Sequence, residues 1–402
     1  MSEFVPEGWV LLEVQKAFKL GRGRVISKPE IRDNPGHYPV FSSQSKDNGK
    51  MGSINTYDFD GEYITWTTDG AYAGTVFHRK GQFNCTNVCG TLQDNGNYDV
   101  FPNFVARYLS TVAKSHVSYV GNPKLMNGTF GEIEFLLPPL PEQQKIAAIL
   151  TSVDEVIEKT QAQINKLKDL KTGMMQELLT RGVGVDGKPH TEFKDSPVGR
   201  IPKAWAVELI GNLFSVQLGK MLSKASKITD SPLSYLGNKN IQWGRVVIDD
   251  LEKMDFSEKE KQKFSLETGD LLMCEGGDVG RCAIWMNEIS DCYYQKAIHR
   301  LRPIENRYKP VLLMEYMKFA KENGLLVDYI SQTSIAHLTK EKLISIPVPV
   351  PSITEQEVII RVLETLSNRL KAADGKLKKN RNLKKALMQD LLTGKVRVKV
   401  DS

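Results

Sequence analysis

Two glycine-rich runs have spacing that could serve ligand chemistry: Asp69-Gly70-Ala71-Tyr72-Ala73-Gly74 and Glu275-Gly276-Gly277-Asp278-Val279-Gly280-Arg281. Closely spaced glycines allow backbone N–H groups to converge on a phosphate. Neither run is expected to open a helix, and no Gly-Lys-Ser/Thr occurs, so neither a P-loop nor a dinucleotide fingerprint is present. Both read as tight turns between strands, and their matching places keep them candidates for backbone contact with a ligand. Cys85-x-x-x-Cys89 has no second pair or histidine cluster at zinc spacing, and Cys274, Cys282 and Cys292 are scattered. Gly-x-Ser-x-Gly, His-Glu-x-x-His and the kinase set are absent. So are an Asp/Asn-Pro-Pro-Tyr methyltransferase motif and a Pro-Asp…Glu-x-Lys nuclease core. The expectation is a chain without catalytic residues or a bound metal.

Polar and basic side chains are more informative. Residues 16–50 hold Lys16, Lys19, Arg22, Arg24, Lys28, Arg32, Lys46 and Lys50 against Glu30, Asp33 and Asp47. The corresponding window, 215–247, holds Lys220, Lys224, Lys227, Lys239 and Arg245 against Asp230. Phosphate contacts need such patches, and base reading needs side chains with paired donors and acceptors. Ser43 and Gln44 in the first window, Asn238 and Asn240 in the second, Arg281 in the glycine-rich turn, and Gln332 and Ser334 in a later polar loop supply them. We therefore take Arg22, Arg24, Lys28, Ser43, Gln44, Lys46, Lys220, Lys224, Lys227, Asn238, Lys239, Asn240, Arg281, Gln332 and Ser334 as candidate DNA-binding residues. The overall charge of +6 is a weaker clue. Residues 1–140 sum to −1, 141–183 to zero, 184–352 to +1, and the whole excess falls on 353–402.

These windows sit in a chain that is one unit written twice. Val5-Pro6-Glu7-Gly8-Trp9 is echoed by Ile201-Pro202-Lys203-Ala204-Trp205, 196 residues later. Glu142-Gln143 begins a run ending Met175-Gln176-Glu177-Leu178-Leu179-Thr180, and Glu355-Gln356 begins one ending Met388-Gln389-Asp390-Leu391-Leu392-Thr393, offset by 213 at both ends. Each run follows a proline-rich stretch, Leu137 to Pro141 and Ile346 to Pro351, where a helix can begin but not continue. Thr354 is the expected N-cap of the second, with Glu357 at the capping-box position, and Gly182 and Gly394 end the two helices.

Within these helices Ile146, Leu150, Val153, Ile157, Thr160, Ile164, Leu167, Met174 and Leu178 recur at alternating steps of four and three, with Lys171 as the exception. Ile359, Leu363, Leu366, Leu370, Ala373, Leu377, Leu387 and Leu391 repeat the pattern, interrupted by Asn380 and Lys384. A sustained 3.5-residue period predicts a coiled coil. About 39 residues at 1.5 Å each make a rod of roughly 58 Å, longer than a small domain is wide. Two equal rods in one chain most simply pair antiparallel with each other; docking of each rod to a different partner is the alternative. The remainder reads as mixed α/β with short strands, such as 63–67, 75–77, 88–92, 271–274, 282–285 and 297–301, and one helix per half near 104–113 and 310–323.

Composition is that of a globular protein, with 41% hydrophobic and 25% charged residues in 402, which excludes wholesale disorder. No stretch approaches the ~20 apolar residues of a membrane span. The first ten residues lack a basic and an apolar region, and five cysteines do not suggest a disulfide framework, so a cytoplasmic location is expected.

The arrangement resembles the specificity (S) subunit of type I restriction-modification systems over essentially the whole chain. The most specific matches are the junctions Leu137 to Ile146 and Pro349 to Gln356, the helix ends Met175 to Thr180 and Met388 to Gly394, and the two Pro-x-x-Trp openings. The resemblance implies an α/β (α+β) fold with two target recognition domains alternating with two long helices that pair as an antiparallel coiled coil, a pseudo-twofold tandem repeat. It implies target recognition domains at 1–140 and 201–352, conserved helices at 141–183 and 353–396, a linker at 184–200 and a tail at 397–402. It also implies a non-catalytic subunit of a multisubunit adenine methyltransferase and endonuclease. Each domain would read half of a bipartite, asymmetric site in double-stranded DNA, and the coiled coil would set the spacer. Ile146, Leu150, Val153, Ile157, Ile164, Leu167, Ile359, Leu363, Leu366, Leu370 and Leu377 would form the coiled coil and its docking surface for two modification (methyltransferase) subunits and restriction subunits. S-adenosylmethionine, Mg2+ and ATP are expected on those partners and no cofactor on this chain. The competing expectation is a stand-alone coiled-coil DNA-binding scaffold or regulator.

Overall fold

A computed structural model describes residues 5–44, 46–184, 187–222, 232–330 and 336–400. Two compact units are present: residues 1–162 with 374–402, and residues 163–373. Each therefore combines one globular domain with part of each long helix, α2 (Leu140–Thr180) and α4 (Ile353–Leu392).

In unit 1 the four-stranded antiparallel sheet has the order Phe18–Arg22, Cys89–Asp94, Glu62–Thr67, Val76–Lys80. Helix α1 (Pro102–Val112) covers it with Phe104, Val105 and Leu109, all fully buried. Pro102 sits in its first turn, where the missing N–H costs nothing. The middle strands are buried on both faces at their centre, so they read as apolar or small runs rather than as alternation. Trp66 lies opposite Gly90, where an added Cβ would come within 2.2 Å of the indole. Its ring instead stacks on Phe130 at 3.9 Å, and its N–H reaches the Leu125 carbonyl at 2.9 Å. A two-stranded pair, Val10–Glu13 with Glu134–Leu137, closes the domain at the base of α2.

Unit 2 uses the same connections. Its sheet has the order Phe214–Leu218, Ile298–Pro303, Leu271–Cys274, Cys282–Ile284, covered by α3 (Pro310–Glu322), and Ala206–Leu209 pairs with Pro347–Val350. Each domain also carries a three-stranded sheet with one antiparallel and one parallel pairing: 50–54, 35–41, 84–85 and 252–254, 233–236, 293–294. The glycine-rich runs are the expected turns between strands, at 67–76 and 274–282.

In unit 1, Ile146 and Leu150 of α2 share a core with Leu391 and Leu392 of α4, and Arg381 donates to Gln161 Oε1 at 3.3 Å. In unit 2, Met175, Leu178 and Leu179 of α2 share a core with Ile359 and Leu363 of α4. Ile164, Leu366 and Leu377 are also buried, while Val153, Ile157, Leu167 and Leu370 are half-buried.

Three local expectations change. The cap of α4 is Ser352, whose Oγ accepts from the Glu355 N–H at 3.3 Å, not Thr354, which lies inside the helix. Ser352 is the residue three before the first buried acid, which is where a capping side chain reaches. The linker is not a plain surface loop: Phe193–Lys194 pairs with Ile201–Pro202. The tail is also anchored at its start, because Arg397 binds Glu142 at 2.7 and 2.8 Å.

Candidate nucleic-acid interface

The motifs repeated in the sequence meet at one place in each unit. In unit 1 the Trp9 indole donates to Glu142 Oε2 at 3.0 Å, and Arg397 grips the same carboxylate with two nitrogens. Gly394, at φ +69°, ends α4 against this site; an added Cβ would stand 2.4 Å from Pro6 and 3.3 Å from Trp9. In unit 2 the Trp205 indole donates to Glu355 Oε2 at 2.9 Å. Glu355 Oε1 receives His190 at 2.9 Å and the backbone N–H groups of Val183 and Gly184 at 3.1 Å. Gly182, at φ +66°, ends α2 there, 2.4 Å from Glu355 measured from an added Cβ.

The adjacent glutamine ties the domain helix to the same junction. Gln143, fully buried, accepts from the Phe101 N–H at 2.7 Å and donates to the Asp99 and Pro138 carbonyls at 2.8 Å. Gln356 does the same with the Lys309 N–H at 2.9 Å and the Arg307 and Pro351 carbonyls at 3.1 and 3.0 Å. Phe101 and Lys309 are the N-caps of α1 and α3 and cannot cap with their own side chains, so a buried amide supplies the acceptor. Burial pushes the Glu142 carboxyl up, but Arg397 and Trp9 outweigh it and hold it below the usual range.

The basic windows take a different form from free phosphate clamps. Arg22 bridges to the glycine-rich turn, with Asp69 and Thr68 Oγ1 both at 3.2 Å and the Asn87 carbonyl on its Nε. Arg24 is paired with Glu30 at 2.7 Å and Asp58 at 3.0 Å, and hydrogen bonding to Glu30 raises its pKa further. Lys220, its counterpart 196 residues on, is mostly buried against Phe256 and bonded to Glu260 and the Asp255 carbonyl at 2.7 Å. Lys239 is exposed and paired with Asp250 at 2.6 Å. Lys28 is exposed in the helix Lys28–Asp33.

Among the polar candidates, Asn240 is 3% exposed and spends its amide on Gly237, Val247 and Asp250 backbone groups, so it works inside the fold. Asn238 and Arg281 come together: Arg281 Nη2 donates to the Asn238 carbonyl at 2.9 Å and Asn238 Nδ2 to the Gly276 carbonyl at 2.8 Å. Ser43 and Gln44 are half-buried, Gln44 reaching the Lys50 carbonyl. Lys224, Lys227, Gln332, Ser334 and the Lys46 side chain lie outside the described residues.

Two features escaped the sequence reading. Gly23 and Gly219 precede the equivalent Arg24 and Lys220, and an added Cβ would meet the Cys85 or Gln295 carbonyl within 2.3 Å. The repeated Gly-Arg/Gly-Lys step was the available signal. The other is Arg79, sandwiched 3.6 Å from Phe41 and 4.4 Å from Phe77, with burial pushing its pKa down to about 10. It holds the turn of the first basic window through the Asn48 carbonyl at 2.6 Å, and no local pattern announces it.

All five cysteines are free and buried, and among the described residues no cluster could hold a metal and no helix could cross a membrane.

Comparison with known proteins places this architecture. A chain from the MjaVIII specificity subunit of Methanocaldococcus jannaschii is 27% identical over 98% of this chain and 94% of its own length. A putative type I specificity subunit N-terminus of Mycoplasma pneumoniae, S.MpnORF289P, is 53% identical over 32% of this chain and 69% of its own. Its relative S.MpnORF507P is 44% identical, with 40% of its length matched. The solved S subunit of M. genitalium shares the fold at a TM-score of 0.62 with 16% identity, covering 96% of both chains. A family model described as the type I restriction modification DNA specificity domain matches residues 6–169 and again 202–379, and the chain belongs to that family.

Proposed function

We propose that this chain is the DNA-reading subunit of a type I restriction-modification enzyme, with each recognition domain reading one half of a bipartite, asymmetric site. The two long helices pair antiparallel and act as a ruler that sets the unspecified spacer. The chain docks two methyltransferase subunits and restriction subunits and holds no cofactor itself; S-adenosylmethionine, Mg2+ and ATP belong to those partners. The observation that carries this reading is the junction built twice, Trp9–Glu142–Gln143 and Trp205–Glu355–Gln356, around two domains of the same topology but different surface residues. Equivalent junctions suit identical partners, and different domains suit different half-sites. Exposed basic groups, such as Arg22 at a strand end and Lys28 at a helix start, then provide phosphate contacts.

The test is co-expression with the cognate modification subunit, followed by methylome sequencing and purification of the complex. One methylated asymmetric motif with a fixed gap, and co-purification of the subunits, is expected. Tight specific DNA binding by the chain alone, with no methylation, would instead favour the stand-alone scaffold.

A further inference from the structure

The polar residues that interrupt the heptads of α2 and α4 sit in equivalent places yet have different partners. Lys171 and Lys384 are the same position in the two helices, 213 residues apart. In unit 1, Lys384 Nζ lies 2.6 Å from Asp154 Oδ1, and Arg107 of α1 reaches Asp154 Oδ2 at 2.7 Å and Thr151 Oγ1 at 3.0 Å. In unit 2, Lys171 Nζ donates to Ser367 Oγ at 2.8 Å and lies 3.7 Å from Glu315 Oε1 of α3. Ser367 stands where Asp154 does, and Glu315 stands where Arg107 does.

The lysine is thus constant while its carboxylate has changed sides. In unit 1 the long helix supplies the acid and the domain helix answers with a guanidinium. In unit 2 the domain helix supplies the acid and the long helix bonds the lysine through the Ser367 hydroxyl. Side-chain exposures of 13–16% for Arg107, Lys171 and Glu315 put these charges where screening is weak and an unmatched charge is costly. Glu315 Oε2 is buried with no hydrogen-bond partner among the described residues, so Lys171 is its main compensation.

We infer that the lysine is the fixed half of a charge lock between domain and helix pair, and that Arg107/Asp154 and Glu315/Ser367 decide which domain each helix-pair position accepts. The lock acts in one direction more than the other. Domain 2 placed in position 1 sets Glu315 against Asp154, with Lys384 between them and the Arg107 guanidinium gone. Domain 1 placed in position 2 sets Arg107 against Lys171, but Glu364, the counterpart of Thr151, lines the same cavity and offers a replacement carboxylate.

The full chain tests this without reference to DNA. R107E should lower the melting temperature by at least about 3 °C, the shift expected when a domain of this size loses a partly buried ion pair. R107E/D154S, which recreates the pattern of unit 2, should recover most of that loss, and E315R should cost less than R107E. Domain 2 grafted in place of residues 1–140 should likewise melt higher with D154S than without it. A double variant no better than R107E, or an R107E chain that melts like the unaltered protein, would overturn the lock.

Discussion

Trp9 and Glu142, 133 residues apart, are joined by an indole-to-carboxylate hydrogen bond of 3.0 Å, and Trp205 and Glu355 repeat the bond at 2.9 Å. The tryptophan that opens each domain is thereby fastened to the first turn of the helix that leaves it. The end of the other long helix closes over the pair with a glycine, since an added Cβ would strike Pro6 in unit 1 and Glu355 and Trp205 in unit 2. These groups tie each domain to its own helix segment.

Removing the Glu142 carboxylate should destabilise unit 1. E142A leaves the Trp9 N–H and the Arg397 guanidinium without their acceptor, at a cost of roughly 1–3 kcal/mol. Thermal or urea melting of E142A and E142Q checks this, and E142Q should lie between E142A and the unaltered chain.

The same carboxylate makes a pH signature. Its pKa is depressed in the folded chain, so its contribution is fully present above the ordinary carboxylate range and is lost as pH falls through the depressed value. The stability gap between the unaltered chain and E142Q should therefore close on acidification. A gap that stayed constant down to strongly acidic pH would contradict the assignment.

Gln143 and Gln356 should be equivalent in effect. Q143A strands the Phe101 N–H and two carbonyls in a buried site, and Q356A does the same at Lys309. Each is expected to cost about 1–3 kcal/mol in melting experiments. Each should also loosen α1 or α3 at its N-terminus, seen as faster amide exchange there.

Deleting one heptad, residues 153–159, should change the gap between half-sites or abolish binding if the helix pair is a ruler. Methylation of the original site at unchanged spacing would exclude that role.

Exchanging residues 1–140 for another recognition domain should replace one half-site and leave the other intact. Methylome sequencing reads this directly, and changes in both halves would contradict modular reading.

Much of this was legible locally. Helices α2 and α4 are announced by proline before, glycine after and a 3.5-residue apolar period between, all features that act within a turn or two of the chain. The duplication is legible because its motifs recur at constant offsets. Strand positions such as 271–274 followed from short apolar runs bounded by turn residues.

Long-range partners were not legible in the same way. Arg22, Arg24 and Lys220 looked like free cations because Asp69, Asp58 and Glu260 lie 34 to 47 residues away along the chain. Asn240 looked like a base reader because its buried acceptors come from residues seven and ten positions on, across a small hairpin. Lys171 and Lys384 looked like defects in a heptad, whereas each is matched by an acid in its own unit.

The sequence by itself determined that the chain is a domain and a helix written twice, because periodicity, capping and repeats depend on neighbours a few residues apart. Only the tertiary structure decided that Pro-x-x-Trp, Glu-Gln and the terminal glycine form a single junction, and that the fixed lysine takes its acid from opposite sides in the two units. Those facts depend on which distant segments the chain path brings within 4 Å, and no local pattern encodes that distance.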